Sequence, residues 1–183
     1  MVDLTSQNRT KPGFFSRLLG TGPDPREELR PLWHRVVALS REPFLYADLG
    51  VADTVNGRFD MITATLAVVV ARMERNADLI PESALLTELF VEDMDGQLRE
   101  MGIGDVVVGK HIGRMMQLAG GRLGAYRDHL VQGNDTAMAE AVRRNVEWSE
   151  GGKPEGLAKL LVALFRDLED RSRDTILAGD FTW

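Results

Sequence analysis

The chain has 183 residues and a formal net charge of −6, with 44% hydrophobic and 27% charged residues. This composition is typical of one globular domain, and the acidic balance gives no reason to expect a nucleic-acid partner. Because the sequence contains no cysteine, a disulfide framework and a thiol nucleophile are excluded. The longest uncharged run, residues 61–71, is shorter than the roughly 20 residues of a membrane-spanning helix.

Residues 1–25 are rich in Gly, Pro, Thr and Asp, and this composition predicts a flexible N-terminal tail. The tail lacks the pattern of a secretory signal peptide, so we expect a cytoplasmic protein. Its segment FFSRLL at 14–19 has two open interpretations. It is either an amphipathic anchor, which would bring the protein to a partner or to the inner face of the cell membrane, or a stretch that packs on its own domain.

After the tail, apolar residues recur at helical spacing, and no segment shows the sustained alternation of a half-buried strand. The predicted helices span residues 26–41, 53–75, 81–101, 105–131, 135–148 and 155–178. In the second of them Asp53 is the expected N-cap, and Ala64, Ala67 and Ala71 form a side that another helix can approach closely. We therefore predict an all-α, single-domain bundle of about six helices over residues 26–183.

The stretch GDVVVGKH at 104–111 is one residue away from the sequence of a phosphate-binding P-loop. A P-loop follows a β-strand, whereas the segment before this stretch is predicted to be helical. Three β-branched valines fill the loop, and His111 replaces the Ser or Thr that would bind magnesium. We therefore predict a corner between two helices, with Asp105 as the cap of the second.

Asp93 falls on the apolar arc of the helix predicted for 81–101, unlike most of the acidic residues around it. A carboxylate on an apolar face needs a cation or several N–H donors. We expect Asp93 to pair with an arginine from another helix, and Arg41 and Arg58 are the best candidates. A polar contact with a ligand or a partner stays open as the alternative.

The sequence offers no pattern that is typical of a catalytic or metal site. The acidic stretch DMDGQLRE at 93–100 lacks the third ligand of an EF-hand loop, and no Glu-x-x-His pair of a di-iron bundle occurs. The spacing of His111 and Met115 would allow haem ligation, but a stripe of this kind is more typical of a core. No Ser-His-Asp pattern is present. We predict no catalytic residue, no metal site and no cofactor.

Three stretches, in this order along the chain, carry a resemblance to a known family. They are LSREPFLYADLGVADTVNGRFDM at 39–61, FVEDMDGQLREMGIGDVVVGK at 90–110 and RRNV at 143–146. Together they cover roughly residues 30–148. In these motifs the chain resembles the ubiquinol–cytochrome c chaperone family, with Asp60 where the family pattern has Glu.

The resemblance implies a non-enzymatic assembly factor. Mitochondrial members of the family bind newly made cytochrome b and promote assembly of the ubiquinol–cytochrome c reductase complex. The resemblance therefore implies a protein client, cytochrome b, and a bacterial-type member. The residues implied as candidates for binding this partner are Arg41, Glu42, Tyr46, Asp53, Arg58, Asp93, Arg99, Asp105 and Lys110. Each of them also has a structural role available.

Two alternatives stay open from the sequence. The first alternative to a chaperone is a lipid- or small-hydrophobic-ligand-binding module at the membrane surface. Its cavity would be lined by Met61, Phe90, Met94 and Met115. The C-terminal residues 181–183, Phe-Thr-Trp, are either a docking handle or a segment that folds back on the bundle.

Overall fold

The computed structural model describes residues 24–100 and 105–183, and it gives only the backbone of 98–99, 105–112 and 114–116. The segment FFSRLL and the rest of the predicted tail up to residue 23 lie outside the described residues. The described residues form eight α-helices and no β-strand, so the prediction of an all-α, single-domain fold is confirmed. The helices are α1 Arg30–Ser40, α2 Pro43–Ala47, α3 Val55–Glu74, α4 Ile80–Glu100, α5 Asp105–Gln132, α6 Asp135–Asn145, α7 Pro154–Glu169 and α8 Arg173–Leu177.

Helix α3 is the centre of the bundle and packs against α1, α4, α5 and α7. Every residue from 60 to 69 is buried, so this helix has no solvent-facing side over those residues. Ala64, Ala67 and Ala71 are at most 1% exposed, as expected for a side that other helices approach closely. A helix that is apolar all round belongs in the interior of a bundle.

The start of α3 differs from the prediction. Thr54 is the N-cap, because its hydroxyl accepts the N–H of Gly57 at 3.0 Å. The prediction of Asp53 as the N-cap is wrong, because its carboxylate binds the guanidinium of Arg58 at 2.7 Å instead. Gly57 is buried at this point, and a Cβ there would collide with the carbonyl of Ala52.

Two of the predicted helices are shorter than expected, and one short helix was not predicted. Helix α6 ends at Asn145 rather than 148, because the chain then becomes extended and pairs with the segment before α3 through a bridge between Val51 and Trp148. The helix predicted for 155–178 is α7 and α8, separated where Ser172 caps α8 by accepting the N–H of Thr175. Helix α2 follows α1 directly, starting at Pro43.

The C-terminal segment folds back on the bundle. Phe181 is 4% exposed, and the indole N–H of Trp183 donates to the carbonyl of Leu39 at the end of α1. Arg35 of α1 donates to the carbonyl of Gly179 at 2.7 Å. Of the two alternatives for residues 181–183, the folded-back segment is therefore the one observed. None of the helices in the described part combines the length and the apolarity that crossing a bilayer requires.

Candidate functional site

A cleft of about 670 Å³ opens where the start of α3, the C-terminal half of α4, α5 and the segment after α6 meet. We call it the groove. The pairing of the segment before α3 with the segment after α6 fixes one of its sides, since the N–H of Ala52 donates to the carbonyl of Glu147 at 2.9 Å. The described side chains that line the groove are apolar, amide and charged: Arg41, Val55, Asn56, Arg58, Phe59, Asp60, Ile62, Met94, Gln97, Leu118, Arg122, Arg144, Asn145, Val146 and Glu147.

Asp60 of α3 forms the polar floor of the groove. Its side chain is 6% exposed, and one carboxylate oxygen contacts the guanidinium of Arg122 in α5. The other oxygen accepts the backbone N–H of Glu147 at 2.9 Å. Burial raises the pKa of Asp60, while Arg122 and the N–H of Glu147 work in the opposite direction. This carboxylate therefore joins α3, α5 and the segment after α6.

Arg122 is held from a second side by an aromatic ring. Its guanidinium carbon lies 5.9 Å from the centroid of Phe59, within the range of a cation–π contact. Phe59 in turn stacks on Phe90 of α4 with the ring centroids 6.0 Å apart, and Phe90 meets the edge of Trp33. Because Arg122 already has both an anion and a ring, its position is fixed before anything binds in the groove.

The rim of the groove carries three further arginines. Arg58 is bound to Asp53, and this hydrogen bond lowers the pKa of Asp53 below its ordinary value. Arg41, just after α1, and Arg144, in the last turn of α6, are exposed. Neither guanidinium forms an ion pair or a hydrogen bond with another described residue. Two cations at the rim are therefore not neutralised by any side chain in the described part of the chain.

The walls include apolar side chains that remain in contact with solvent. Val55 at the start of α3 is 67% exposed and Leu118 of α5 is 48% exposed. They are two of the four large hydrophobic residues with the highest exposure in the described part of the chain, and both line the groove. Below them lie Ile62 and Met94, which are buried. The groove thus presents apolar surface beside unneutralised positive charge.

The structure brings two of the predicted partner-binding residues, Arg41 and Arg58, to the groove. The phenol of Tyr46 donates to the carbonyl of Ser40 at 2.6 Å, and burial raises the pKa of Tyr46. Asp53 holds Arg58 in place. Glu42 precedes α2, where its carbonyl accepts the N–H of Leu45.

The expected pairing of Asp93 with Arg41 or Arg58 is wrong. Asp93 accepts a hydrogen bond at 3.1 Å from Gln97, one turn further along α4. Arg58 is instead bound by Asp53, only five residues before it. Asp93 lines a separate small cleft beside Arg30, so it is not part of the groove.

Three predicted residues, Arg99, Asp105 and Lys110, have side chains outside the described part of the structure, as does Met115. The backbone of residues 105–111 belongs to α5, which begins at Asp105. A helix that runs through DVVVGKH has no loop to surround a phosphate, so the rejection of the P-loop agrees with the fold. Residues 101–104 of the predicted helix corner lie outside the description.

A family model described as ubiquinol-cytochrome C chaperone matches residues 47–183. The chain belongs to this family. The resemblance seen in the sequence motifs is therefore confirmed, and the match extends past residue 148 into α7 and α8 of this chaperone-family protein. No curated protein matches the chain.

The fold of this chaperone-family chain is similar to that in the crystal structure of the Cbp3 homolog from Brucella abortus, with a TM-score of 0.73. The two sequences are 27% identical, and the alignment covers 92% of this chain and 93% of the other. Most of the groove, including Asp60, Arg122 and Arg144, lies within the residues that the family model matches, whereas Arg41 lies just before them.

Sequence reasoning missed Asp60, Arg122 and Arg144 as residues of this site in the chaperone-family chain. Arg122 had a usable signal, since it fills the gap between Ala119 and Tyr126 in the apolar stripe of its helix. Like Asp93, Arg122 is a charged residue on an apolar face and therefore needs an opposite charge or several hydrogen-bond partners. Asp60 adjoins the uncharged run at 61–71, which predicts a helix in the core. Arg144 belongs to the motif RRNV.

The ligand cavity expected from the sequence has a different lining. Met61 and Phe90 are at most 1% exposed and belong to the packed core. Met94 is the member of that set found among the described residues of the groove. The apolar lining of the groove comes mainly from Val55, Ile62 and Leu118, and arginines and amides lie beside them.

Proposed function

We propose that this protein is a non-enzymatic assembly chaperone for the ubiquinol–cytochrome c reductase complex and that it binds newly made cytochrome b in the groove. Membership of the family and similarity to the Cbp3 homolog support the assembly role. The observation that carries the proposal is the pairing of exposed apolar side chains with unneutralised arginines in one cleft. Such surface is costly to leave open to water and is typical of a binding site.

The groove is better suited to binding than to catalysis. Its buried carboxylate, Asp60, has both oxygens engaged by Arg122 and by the N–H of Glu147. A general base needs a free oxygen within reach of the proton that it removes. Because the client is a membrane subunit, we infer that the encounter takes place at the inner face of the cell membrane.

Deletion of the gene tests the assembly role. We expect the assembled reductase, measured on native gels and by the absorbance of haem b, to fall in the deletion strain and to return with the wild-type gene. Normal levels of the complex without the gene would refute the proposal.

A matched pair of substitutions on α5 tests the groove itself. Leu118 is 48% exposed in the groove and Val131 is 47% exposed outside it. We expect Leu118→Gln to impair rescue of the deletion strain and Val131→Gln to leave it unchanged, because the two changes remove similar apolar surface at different places. Equal rescue by both variants would place the client elsewhere on the protein.

A further inference from the structure

The groove has an excess of positive charge that the rest of the chain does not share. Among its described side chains, four arginines and two acidic residues line it, whereas the whole chain has a net charge of −6. Asp60 is neutralised by Arg122, and Arg58 is held by Asp53. The exposed carboxylate of Glu147 remains, against the guanidinium groups of Arg41 and Arg144, which have no partner among the described side chains. The groove is therefore complementary to an anionic group.

The two free arginines have fixed backbones. Arg41 follows the last turn of α1, where Trp183 and Tyr46 donate to the carbonyls of Leu39 and Ser40. Arg144 belongs to the last turn of α6. The backbone at Arg41 and Arg144 is held by the ends of α1 and α6, so only the side chains have to become ordered when an anion binds. This preorganisation lowers the entropy cost of binding.

Apolar surface adjoins these charges, since Val55 and Leu118 line the same groove. We infer that the groove selects a client segment in which an acidic residue is flanked by apolar residues. The carboxylate of the segment binds Arg41 and Arg144, and its apolar neighbours cover Val55 and Leu118. This inference rests on the proposed function and specifies the chemistry of the segment that the groove accepts.

The amide side chains of the groove favour a peptide over a lipid. Asn56, Gln97 and Asn145 line it, and each carries both donors and an acceptor. A peptide backbone offers the matching acceptors and donors, whereas an acyl chain offers neither. Gln97 already donates to Asp93, but an acyl chain would offer no partner to the amides of Asn56 and Asn145, which costs binding energy.

Selection from a random 12-residue peptide library tests this inference without assuming the identity of the client. The purified full chain is the target, and the double variant Arg41→Gln/Arg144→Gln is used for comparison. We expect the enriched peptides to carry Asp or Glu between apolar residues. Replacing that acid by its amide, or using the double variant, should weaken binding about tenfold, as for the loss of a charge-assisted hydrogen-bonded pair.

Arg143→Gln is the matched control, because Arg143 is the neighbour of Arg144 on α6 but pairs with Glu155 outside the groove. It should bind the selected peptides like the wild type, and the circular dichroism of all variants should match. Enrichment of neutral or basic peptides, no enrichment at all, or equal binding by the double variant would overturn the inference. The inference would also be overturned if the protein showed no peptide preference but bound phosphatidylglycerol vesicles, and if this binding required Arg41 and Arg144.

Failure of this inference and failure of the proposed function have different signatures. If the selected peptides show no acidic preference but the deletion strain still lacks assembled reductase, the assembly role stands and the charge selection is wrong. If the peptides show the preference but reductase assembly is normal without the gene, the groove binds such segments for another purpose.

Discussion

The carboxylate of Asp60 is buried where α3, α5 and the segment after α6 meet, so it loses its hydration on folding. Removing an ion from water costs several kcal/mol, and only well-placed partners offset that cost. Arg122 and the N–H of Glu147 supply those partners, one to each oxygen. Because an apolar pair would fill this space at lower cost in desolvation, the benefit of the ion pair lies in fixing the geometry of the groove floor.

Removal of Arg122 should therefore be costly. Arg122→Met keeps most of the side-chain volume but leaves the carboxylate of Asp60 buried with a single N–H donor. We expect the free energy of unfolding at neutral pH, measured by urea titration, to fall by about 3 kcal/mol. The double variant Asp60→Asn/Arg122→Met should regain part of this loss, because no unpaired charge remains.

The loss should also depend on pH. Burial raises the pKa of Asp60 above its unfolded value, so this carboxyl favours folding below the unfolded pKa, and its contribution is lost as the pH rises through the folded pKa. Without Arg122 the folded pKa of Asp60 rises further. The difference in the free energy of unfolding between the wild type and Arg122→Met should then become smaller as the pH falls toward about 4. A deficit of the same size at both pH values would contradict a buried, unpaired carboxylate as its cause.

The end of α7 depends on a side chain from another helix. Arg72 of α3 is 9% exposed, and its Nε donates to the carbonyl of Leu168 at 2.6 Å. One terminal nitrogen donates to the carbonyl of Arg171 at 3.1 Å. The last carbonyls of a helix lack partners within the helix and carry partial negative charge, so a buried cation there stabilises the end of α7.

Arg72→Met should lower the free energy of unfolding by about 2 kcal/mol, because it removes the side-chain donors to the carbonyls of Leu168 and Arg171 and removes the charge from the helix end. Chemical denaturation followed by circular dichroism measures this change. Arg75→Met is the control: Arg75 forms an exposed pair with Glu169, and its loss should change stability by less than about 1 kcal/mol. Equal effects of the two substitutions would argue against a capping role for Arg72.

Two glycines in neighbouring helices should respond in opposite directions to alanine. A Cβ at Gly120 of α5 would meet open space, whereas a Cβ at Gly57 of α3 would collide with the carbonyl of Ala52. Gly120→Ala should raise the free energy of unfolding by about 0.5 to 1 kcal/mol through helix propensity and a less flexible unfolded chain. Gly57→Ala should lower it. Thermal melts of both variants test the pair, and a stabilising Gly57→Ala would show that the start of α3 can shift.

The long helices follow from the sequence because each buries a face or more of apolar residues at helical spacing. The caps Thr54 and Ser172 are local signals that were missed, whereas other details depend on distant residues. Helix α6 gives way to the extended segment whose Glu147 N–H binds Asp60, 87 positions away, and Arg72 donates to the carbonyl of Leu168 at the end of α7 from 96 positions away. No local pattern contains such contacts.

The same limit applies to the site. Arg41 and Arg58 were accessible through the family motif, since they lie in one continuous stretch of sequence. The pairing of Asp60 with Arg122 joins positions 62 residues apart, and its partners are known only once α3 and α5 are packed. Sequence alone therefore indicates which charged residues are unusual but not which of them neutralise one another.

At the scale of the whole molecule, the C-terminal residues pack against the end of α1, next to the rim of the groove. The indole N–H of Trp183 donates to the carbonyl of Leu39 at 3.0 Å, two residues before the free Arg41. Trp183→Phe keeps an aromatic ring but removes this donor, so the end of α1 should open more often. We expect a loss of about 1 kcal/mol in the free energy of unfolding and faster amide hydrogen exchange over residues 39–45.

Trp148→Phe is the matched control for this substitution, because Trp148 donates to the carbonyl of Arg143 at 3.3 Å and does not bond to α1. Its exchange over residues 39–45 should equal that of the wild type. If Trp183→Phe destabilises the protein while exchange over 39–45 stays unchanged, Trp183 supports the bundle only through packing. Faster exchange confined to that stretch would mean that the last residue of the chain holds Arg41 at the rim of the groove.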